Sequence, residues 1–310
     1  MTPLKIGTRG SALALWQARA VATQLERLGA SARIVTITTR GDRRQDAPLT
    51  SIGGKGVFVK EIHDALLGGA IDLAVHSAKD MAAVCPPGLG IGAVLPREDP
   101  RDAFVLPRRD DLDEIAMRDR PGVHGHSPLF GTGSPRRVAQ LRRLYPAARF
   151  EPIRGNVDTR LGKLDAGQVD ALVLACAGLR RLGLEDRITD AVPVDQCVPA
   201  PGQGIIAVEA RTSDESTMRL LEMLNDPMAR TALEAEQAVV EELGGGCQLP
   251  LGVFAEIQDG TLSIRAFASS MNGVSFLEGC ITGDAADARE TGRRLARELA
   301  SRGARELLQP

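Results

Sequence analysis

The 310-residue chain has a formal net charge of −2, with 43% hydrophobic and 25% charged residues. That composition suits an ordinary globular protein of two or three domains. It excludes the broad basic field of a nucleic-acid or anionic-membrane binder, and no apolar run is long enough to span a bilayer.

Taken in order, Leu4 to Gly7 reads as a strand ending in the turn Thr8-Arg9-Gly10-Ser11. A helix with apolar Ala14, Ala18, Val21, Leu25 and Leu28 follows and stops at Gly29. Arg33 to Thr39 alternates as a strand does and runs into Arg40-Gly41-Asp42. A polar loop from Arg43 to Gly56, with Lys55 near its end, precedes a helix over Val59 to Leu67. Ile71 to Val75 is then a strand that delivers Ser77, Lys79 and Asp80.

From Leu129 the same order returns. Phe130-Gly131-Thr132-Gly133-Ser134 is a strand end and turn, and a helix follows through Val138, Leu141 and Leu144. Arg149 to Ile153 runs into Arg154-Gly155-Asn156, a helix passes through Leu161 and Leu164, and Val169 to Leu174 is a strand. Gly7-Thr8 answers Gly131-Thr132, Arg40-Gly41 answers Arg154-Gly155, and Ile71-Asp72 answers Val169-Asp170. A shared order of elements with shared markers points to duplication. The alternation of strand and helix predicts parallel sheets with right-handed crossovers.

Two proline-rich crossings, Pro96 to Pro100 and Pro193 to Pro201, separate the copies. A strand over Gly204 to Glu209 is expected to return to the first lobe. The pattern predicts two hinged α/β lobes, residues 1–97 with 200–214 and residues 101–196. A small α+β domain, 217–310, carries a three-stranded antiparallel sheet. Ligands of open α/β sheets sit at the carboxyl ends of the strands. Those ends carry Arg9, Ser11, Lys79, Asp80, Thr132, Ser134, Arg136, Arg137, Arg154 and Arg160, which describes a cleft for an anion. Only Lys5, Lys55, Lys60, Lys79 and Lys163 are lysines among 38 basic residues. Genomic base composition accounts for part of that bias; guanidinium forks for carboxylates or phosphates are the functional alternative.

In the third region a helix over Thr231 to Leu243 is stopped by Gly244. Cys247 follows in the turn Gly244-Gly245-Gly246-Cys247-Gln248-Leu249-Pro250-Leu251-Gly252. Strands are expected over Val253–Ile257, Thr261–Ala268 and Phe276–Thr282, with Asp259-Gly260 turning the first hairpin, and a last helix over about Ala285 to Leu299. From the residues alone, Cys247 is either a small buried cysteine in a tight turn or a sulfur left bare for something bulky. It follows a helix C-terminus, whose partial negative charge opposes a thiolate, so an attachment point suits it better than a turnover nucleophile.

Other signals fail on context. Gly53-Gly54-Lys55-Gly56 lacks the Ser or Thr and the spacing of a P-loop, and Gly202-Gln203-Gly204 opens a strand where a dinucleotide fingerprint must open a helix. His76 reads as packed, Arg142-Arg143 as a solvated helix face, and the few aromatic residues fit base stacking poorly. Cys85, Cys176, Cys197, Cys247 and Cys280 form no paired pattern, and the histidines add no metal-ligand spacing. A reducing cytoplasm, no metal and no secretory leader are expected.

The stretches Gly7 to Ala18, Thr39 to Asp42, Gly53 to Phe58, Val75 to Asp80, Glu98 to Phe104, Arg154 to Asn156, Ala177 to Leu184 and Gly244 to Gly252 together resemble the porphobilinogen deaminase family over essentially the whole chain. The resemblance implies type II periplasmic-binding-protein-like lobes with a hinge and cleft, plus the small C-terminal domain. It implies a dipyrromethane cofactor held through a thioether on Cys247. Four porphobilinogen units are added to it stepwise with loss of ammonia, and hydroxymethylbilane is released by water. By the same resemblance Asp80 is the catalytic carboxylate. Lys79, Ser77, Thr132, Ser134, Arg136, Arg137, Arg154 and Arg160 contact cofactor and chain. Arg9, Ser11, Gln17 and Arg181 face the substrate, with Lys55 on a loop over the cleft. A cytoplasmic monomer without nucleic-acid or membrane partners is implied. The chain departs from the family pattern at Gly133 and Pro135, at Ala78 and Met81-Ala82, and in the basic Arg43-Arg44. A non-enzymatic two-lobed anion-binding protein with an appended domain is the competing reading.

Overall fold

The computed structural model describes residues 2–39, 59–108, 127–246 and 248–309. Lys55, Cys247 and the loop around Arg43 and Arg44 therefore lie outside the described residues. The first lobe begins with β1 (Leu4–Thr8), α1 (Ala12–Arg27), β2 (Ala32–Thr36), α2 (Lys60–Leu67), β3 (Leu73–Ser77) and β4 (Leu89–Val94). The second contains β5 (Asp102–Val105), β6 (Leu129–Gly131), α3 (Pro135–Leu144), β7 (Arg149–Glu151), α4 (Val157–Asp165), β8 (Ala171–Ala175), α5 (Cys176–Arg181) and β9 (Asp190–Val192). After β10 (Ile206–Arg211) and α6 (Glu215–Glu222) come α7 (Pro227–Leu243), β11 (Leu251–Gln258), β12 (Thr261–Ser269), β13 (Phe276–Asp284), α8 (Ala288–Ser301) and α9 (Ala304–Leu307).

The two lobe sheets have orders β2-β1-β3-β10-β4 and β7-β6-β8-β5-β9, the same arrangement with different strands. This is the internal repeat expected from the sequence, and it gives the type II lobe pattern. The sheets are not purely parallel, however. β10 runs antiparallel between β3 and β4, and β5 runs antiparallel between β8 and β9. The reason is connectivity: each antiparallel strand enters its sheet from the crossing that leaves the other lobe. Helix-and-strand alternation describes only the strands made inside a lobe.

The two crossings lie side by side. Leu95 N donates to Ile206 O at 3.0 Å and Glu98 N to Gly204 O at 3.1 Å. Ile6, Leu25, Leu73 and Val208 form the first-lobe core, while Phe104, Phe130, Leu141 and Val173 anchor one face of the second. Burying each such side chain contributes about 1.5–3 kcal/mol. Leu221 of α6 and Leu224, just past its end, pack into the first-lobe core.

Helix α7 starts at Pro227, four residues before the apolar stripe predicts. Asp226 accepts from Ala229 N at 2.7 Å and Pro227 fills the first turn, where its missing N–H costs nothing. It ends as expected at Gly244, which is left-handed at φ 71°. Val239, Leu243, Val253, Ile264, Leu295 and Leu299 join α7, the β11-β12-β13 sheet and α8 in one core. Asp259 and Gly260 both take positive φ in the tight β11–β12 turn.

This third domain grips both crossings. Glu236 of α7 is wholly buried, pairs with Arg97 at 2.7 Å, and accepts Gly202 N at 2.6 Å and Ala255 N at 2.8 Å. Arg142 and Arg143 are exposed, as expected of a solvated face, and they also reach the β12–β13 hairpin from α3. Arg142 donates to Asn272 O at 2.9 Å, and Arg143 lies 3.9 Å over the Phe276 ring and pairs with Glu278. The partners come from more than 100 residues away, so nothing local in the sequence marks them.

Gly204 has φ +89°, and a Cβ there would strike the Glu98 carbonyl oxygen. Gly204→Ala should therefore destabilise the fold by about 2 kcal/mol or more, because backbone strain adds to the clash. A denaturant titration measures this; an unchanged midpoint would mean that the crossings yield more easily than their packing implies.

Candidate active site

Asp80 ends a short 3₁₀ turn, Ala78–Asp80, at the carboxyl end of β3. The turn is pinned from behind. Ala78 N donates to Ile205 O at 3.0 Å, and the Gly202 backbone comes so close that a Cβ there would lie 3.0 Å from Lys79 N. Asp80 itself is exposed, and Lys79 is half-buried beside it. Lys79 Nζ donates to Gln203 Oε1 at 3.2 Å. Burial, then the nearby Arg137 charge, lower its pKa to about 8, with Asp80 and Asp102 partly opposing the shift.

On the same lobe, Ser11 caps α1 by accepting from Ala14 N at 3.3 Å, and Arg9 lies half-buried in the preceding turn. Gln17 is buried and donates from Nε2 to Ser77 Oγ at 2.9 Å, so these two are spent on each other. His76 is packed, as expected. Its Nε2 lies 3.4 Å from Glu209 Oε2, and His63 Nε2 lies 3.1 Å from the same oxygen.

The second lobe presents the matching strand ends. Thr132 is buried, and its Oγ1 accepts from Ser134 N at 3.3 Å. Ser134 in turn caps α3 by accepting from Arg137 N, with Pro135 in the first turn. Gly133 is exposed with only Ile153 O within 4 Å of a Cβ, so a side chain would fit there.

Beneath this turn lies Asp102, wholly buried at the start of β5. Its Oδ2 accepts from Arg136 Nη1 at 2.7 Å, and its Oδ1 from Arg137 Nη2 at 2.7 Å and Nε at 3.0 Å. Gln203 Nε2 adds a bond to Oδ1 at 2.9 Å, and Cys197 Sγ lies 3.3 Å from Oδ2. Burial alone would raise the Asp102 pKa, but the two guanidinium charges and their hydrogen bonds outweigh it and hold the carboxyl well below its usual range. Burial, followed by the Asp102 charge, pushes the Cys197 thiol up to about 12.

Arg160, on α4, is half-buried and donates from Nε to Gly155 O at 2.8 Å. Burial and then Arg137 lower its pKa to about 10, Asp80 opposes the shift, and Arg154 adds to it. Arg154 is half-buried at the β7–α4 turn, and Arg181 is buried against the hinge, donating to Gly204 O at 2.6 Å. The structure thus gathers Lys79, Asp80, Arg137, Arg154 and Arg160 into one electrostatic neighbourhood. Ser11, Gln17 and Ser77 stand on the first-lobe side and Arg181 at the junction of the lobes. Burial and then the Arg137 charge lower the proton affinity of Lys79 and Arg160, a condition that anionic ligand groups relieve.

Sequence reasoning missed Asp102 and Gln203 as parts of the site. Asp102 looks like one more acidic residue after a proline-rich crossing. Gly202-Gln203-Gly204 reads in the sequence as a failed dinucleotide fingerprint that opens a strand, yet a polar residue between glycines in an otherwise apolar approach to a strand was an available signal. Among the described residues no group of His, Cys, Asp or Glu is arranged to hold a metal ion.

Comparison with known proteins adds a family assignment. Residues 4–219 match the model described as "Porphobilinogen deaminase, dipyromethane cofactor binding domain", and residues 231–301 match "Porphobilinogen deaminase, C-terminal domain". Proteins named porphobilinogen deaminase from Syntrophomonas wolfei and Thiobacillus denitrificans are each 44% identical over 310 residues, covering 99% of this chain and 98% of theirs. Among solved structures, the Bordetella pertussis BvgS VFT2 domain aligns at 18% identity and TM-score 0.40, covering 71% of this chain and 85% of its own. The Escherichia coli sulphonate-binding protein SsuA aligns at 12% identity and TM-score 0.41, covering 78% and 70%.

Asp102→Asn leaves two buried guanidiniums without their counter-charge. It should cost about 3–5 kcal/mol of stability, read as a lower denaturation midpoint. A loss below about 1 kcal/mol would show that the pair is no stronger than a surface ion pair.

Proposed function

The chain belongs to the porphobilinogen deaminase family, and from that premise we propose that Asp80 is its catalytic carboxylate and Cys247 the attachment point of its dipyrromethane cofactor. The family activity is a transferase reaction of tetrapyrrole biosynthesis. Porphobilinogen is deaminated and joined stepwise, four units in all, and the linear tetrapyrrole hydroxymethylbilane is released by hydrolysis. A two-lobed binding protein without catalysis is not favoured, since both family matches and the full-length relatives are to the enzyme.

The observation that carries the assignment of roles is the placement of exposed Asp80 against cations drawn from both lobes. A pyrrole bearing acetate and propionate needs basic partners around a single point where positive charge develops. The residues present fit such a group. Lys79 and Arg160 have lowered proton affinities, partly because Arg137 stands near each, and carboxylates entering between them would restore it. The bound dipyrromethane supplies a nucleophilic pyrrole ring as the acceptor of incoming units.

The remaining roles follow from the side chains. Lys79, Arg154 and Arg160, with Thr132 and Ser134 at the capped end of α3, hold cofactor and chain carboxylates. Arg136 and Arg137 act mainly through the positive field fixed by Asp102, because several of their donors are already engaged there. Gln17 orients Ser77, while Arg9, Ser11 and Arg181 meet the incoming substrate, with Lys55 on the covering loop. As ammonia leaves the aminomethyl carbon, the Asp80 carboxylate stabilises the cation that spreads into the pyrrole ring. It then accepts the ring proton that must be lost after the new carbon–carbon bond forms.

Burial is the first cause holding Cys85, Cys176 and Cys197 near pKa 12, so these thiols stay neutral and do not compete with Cys247 for the cofactor. The three-part division into 1–97 with 200–214, 101–196 and 217–310 assigns the carboxylate, the arginines and the attachment loop to different units. A cytoplasmic monomer is the companion reading, and the net charge of −2 speaks against nucleic acid or an anionic membrane as its partner.

Intact-mass measurement of the purified protein should show an adduct above the sequence mass that maps to Cys247 and is missing from Cys247→Ser; a fully active protein with no adduct would falsify the attachment. Asp80→Asn should keep fold and adduct while turnover falls by at least about 100-fold. Near-normal turnover in that variant would remove Asp80 from the chemistry.

A further inference from the structure

Gln203 has no role in the assignments above, yet it is among the most constrained polar side chains in the protein. It is 1% exposed, and every hydrogen-bonding group of its amide that can reach a partner has one. Nε2 donates to Pro100 O at 2.6 Å and to Asp102 Oδ1 at 2.9 Å, while Oε1 accepts from Lys79 Nζ at 3.2 Å. These partners fix its orientation. A flipped amide would set its oxygen against the Asp102 carboxylate and its NH2 against the Lys79 ammonium.

The backbone is equally restricted. Gly202 and Gly204, on either side, have φ of +73° and +89°. A Cβ at Gly202 would meet the Ala78–Lys79 turn, and one at Gly204 would meet Glu98 O. Gln203 O also accepts from Arg97 Nε at 2.9 Å, and Gly202 N donates to buried Glu236 at 2.6 Å. The return crossing is thereby held against the Asp80 turn on one side and the outgoing crossing on the other. The Gln203 side chain reaches an amine of the first lobe and a carboxylate of the second.

We infer that Gln203 is a positioning residue for the reaction: its amide bridges the hinge, fixing the Lys79 ammonium beside Asp80 and setting its distance from the Asp102-held arginine pair. This rests on the reading of Lys79 as a contact for carboxylates in the cleft. A neutral amide suits the task better than a carboxylate. It orients the ammonium without neutralising it, which leaves the charge for an incoming anion, and it adds no second negative charge beside Asp102. Lys79 titrates at about 8, within reach of a kinetic measurement, so a change in its hydrogen-bond partner shows in the pH profile.

The experiment uses the full-length, cofactor-loaded enzyme and follows porphobilinogen consumption against pH for wild type, Gln203→Leu, Gln203→Glu, Lys79→Met and the Gln203→Leu/Lys79→Met pair. Removing the acceptor should lower kcat/KM by about 10-fold and move its alkaline limb down by about half a pH unit or more. Gln203→Glu, of nearly the same shape, should move the limb upward and provides the test should Gln203→Leu not fold. The double variant should be no slower than Lys79→Met within about twofold, because the two side chains act as one unit. An unmoved limb with multiplying losses would reduce Gln203 to hinge packing and overturn the inference. Wild-type kcat/KM in Lys79→Met would instead overturn the role of Lys79, and the inference with it.

Discussion

One wholly buried carboxylate, Asp102, sets the geometry on which the cleft depends. It is taken out of water, a large unfavourable contribution, and it remains ionised only because Arg136 and Arg137 bond to it directly. Those bonds join the first strand made in the second lobe to the helix whose capped end opens on the cleft. Gln203 and Cys197 extend the cluster to the return crossing. A pair of this kind contributes little net stability relative to apolar packing. What it does provide is position, since neither arginine can swing away without stranding charge in a dry interior.

Around this cluster the protein arranges charge by separation. The exposed carboxylate of Asp80 comes from one lobe, and most of the cations come from the other. The third domain fastens the arrangement through buried Glu236 on the crossings and Arg143 stacked on Phe276. Each contact joins a segment of one unit to the backbone or ring of another, so the three parts share a frame at the hinge while the cleft keeps its solvent-facing groups.

The repeat was legible in the sequence because its markers are local: a glycine at a strand end, an Arg-Gly pair, an aspartate opening a strand. The helix ends at Gly244 and the Asp259-Gly260 turn were legible for the same reason. Strand direction was not, because the polarity of β5 and β10 follows from which lobe the chain has just left. The start of α7 was marked by Asp226-Pro227, a local signal that the apolar stripe obscured. Arg142 and Arg143 read as solvated and are exposed, but their contacts with the β12–β13 hairpin had no local mark. Asp80, Lys79 and the arginines were readable as strand-end residues and through the family resemblance. The partners that hold them, Asp102 and Gln203, gain meaning only from contacts distant in sequence, 34 and 35 residues for Asp102 with the arginines and 101 or more for Gln203.

The interleaved strand orders also bear on how the chain is made. β10 lies between β3 and β4, although a whole lobe separates it from them in sequence. During synthesis the N-terminal sheet therefore waits with a gap at an interior position, two open strand edges facing each other, until the second lobe has emerged. The second lobe has no such debt, since β5 is made before its neighbours β8 and β9. The later-made half can close first and serve as the platform on which the earlier half is finished, reversing the N-to-C order in which successive domains ordinarily mature.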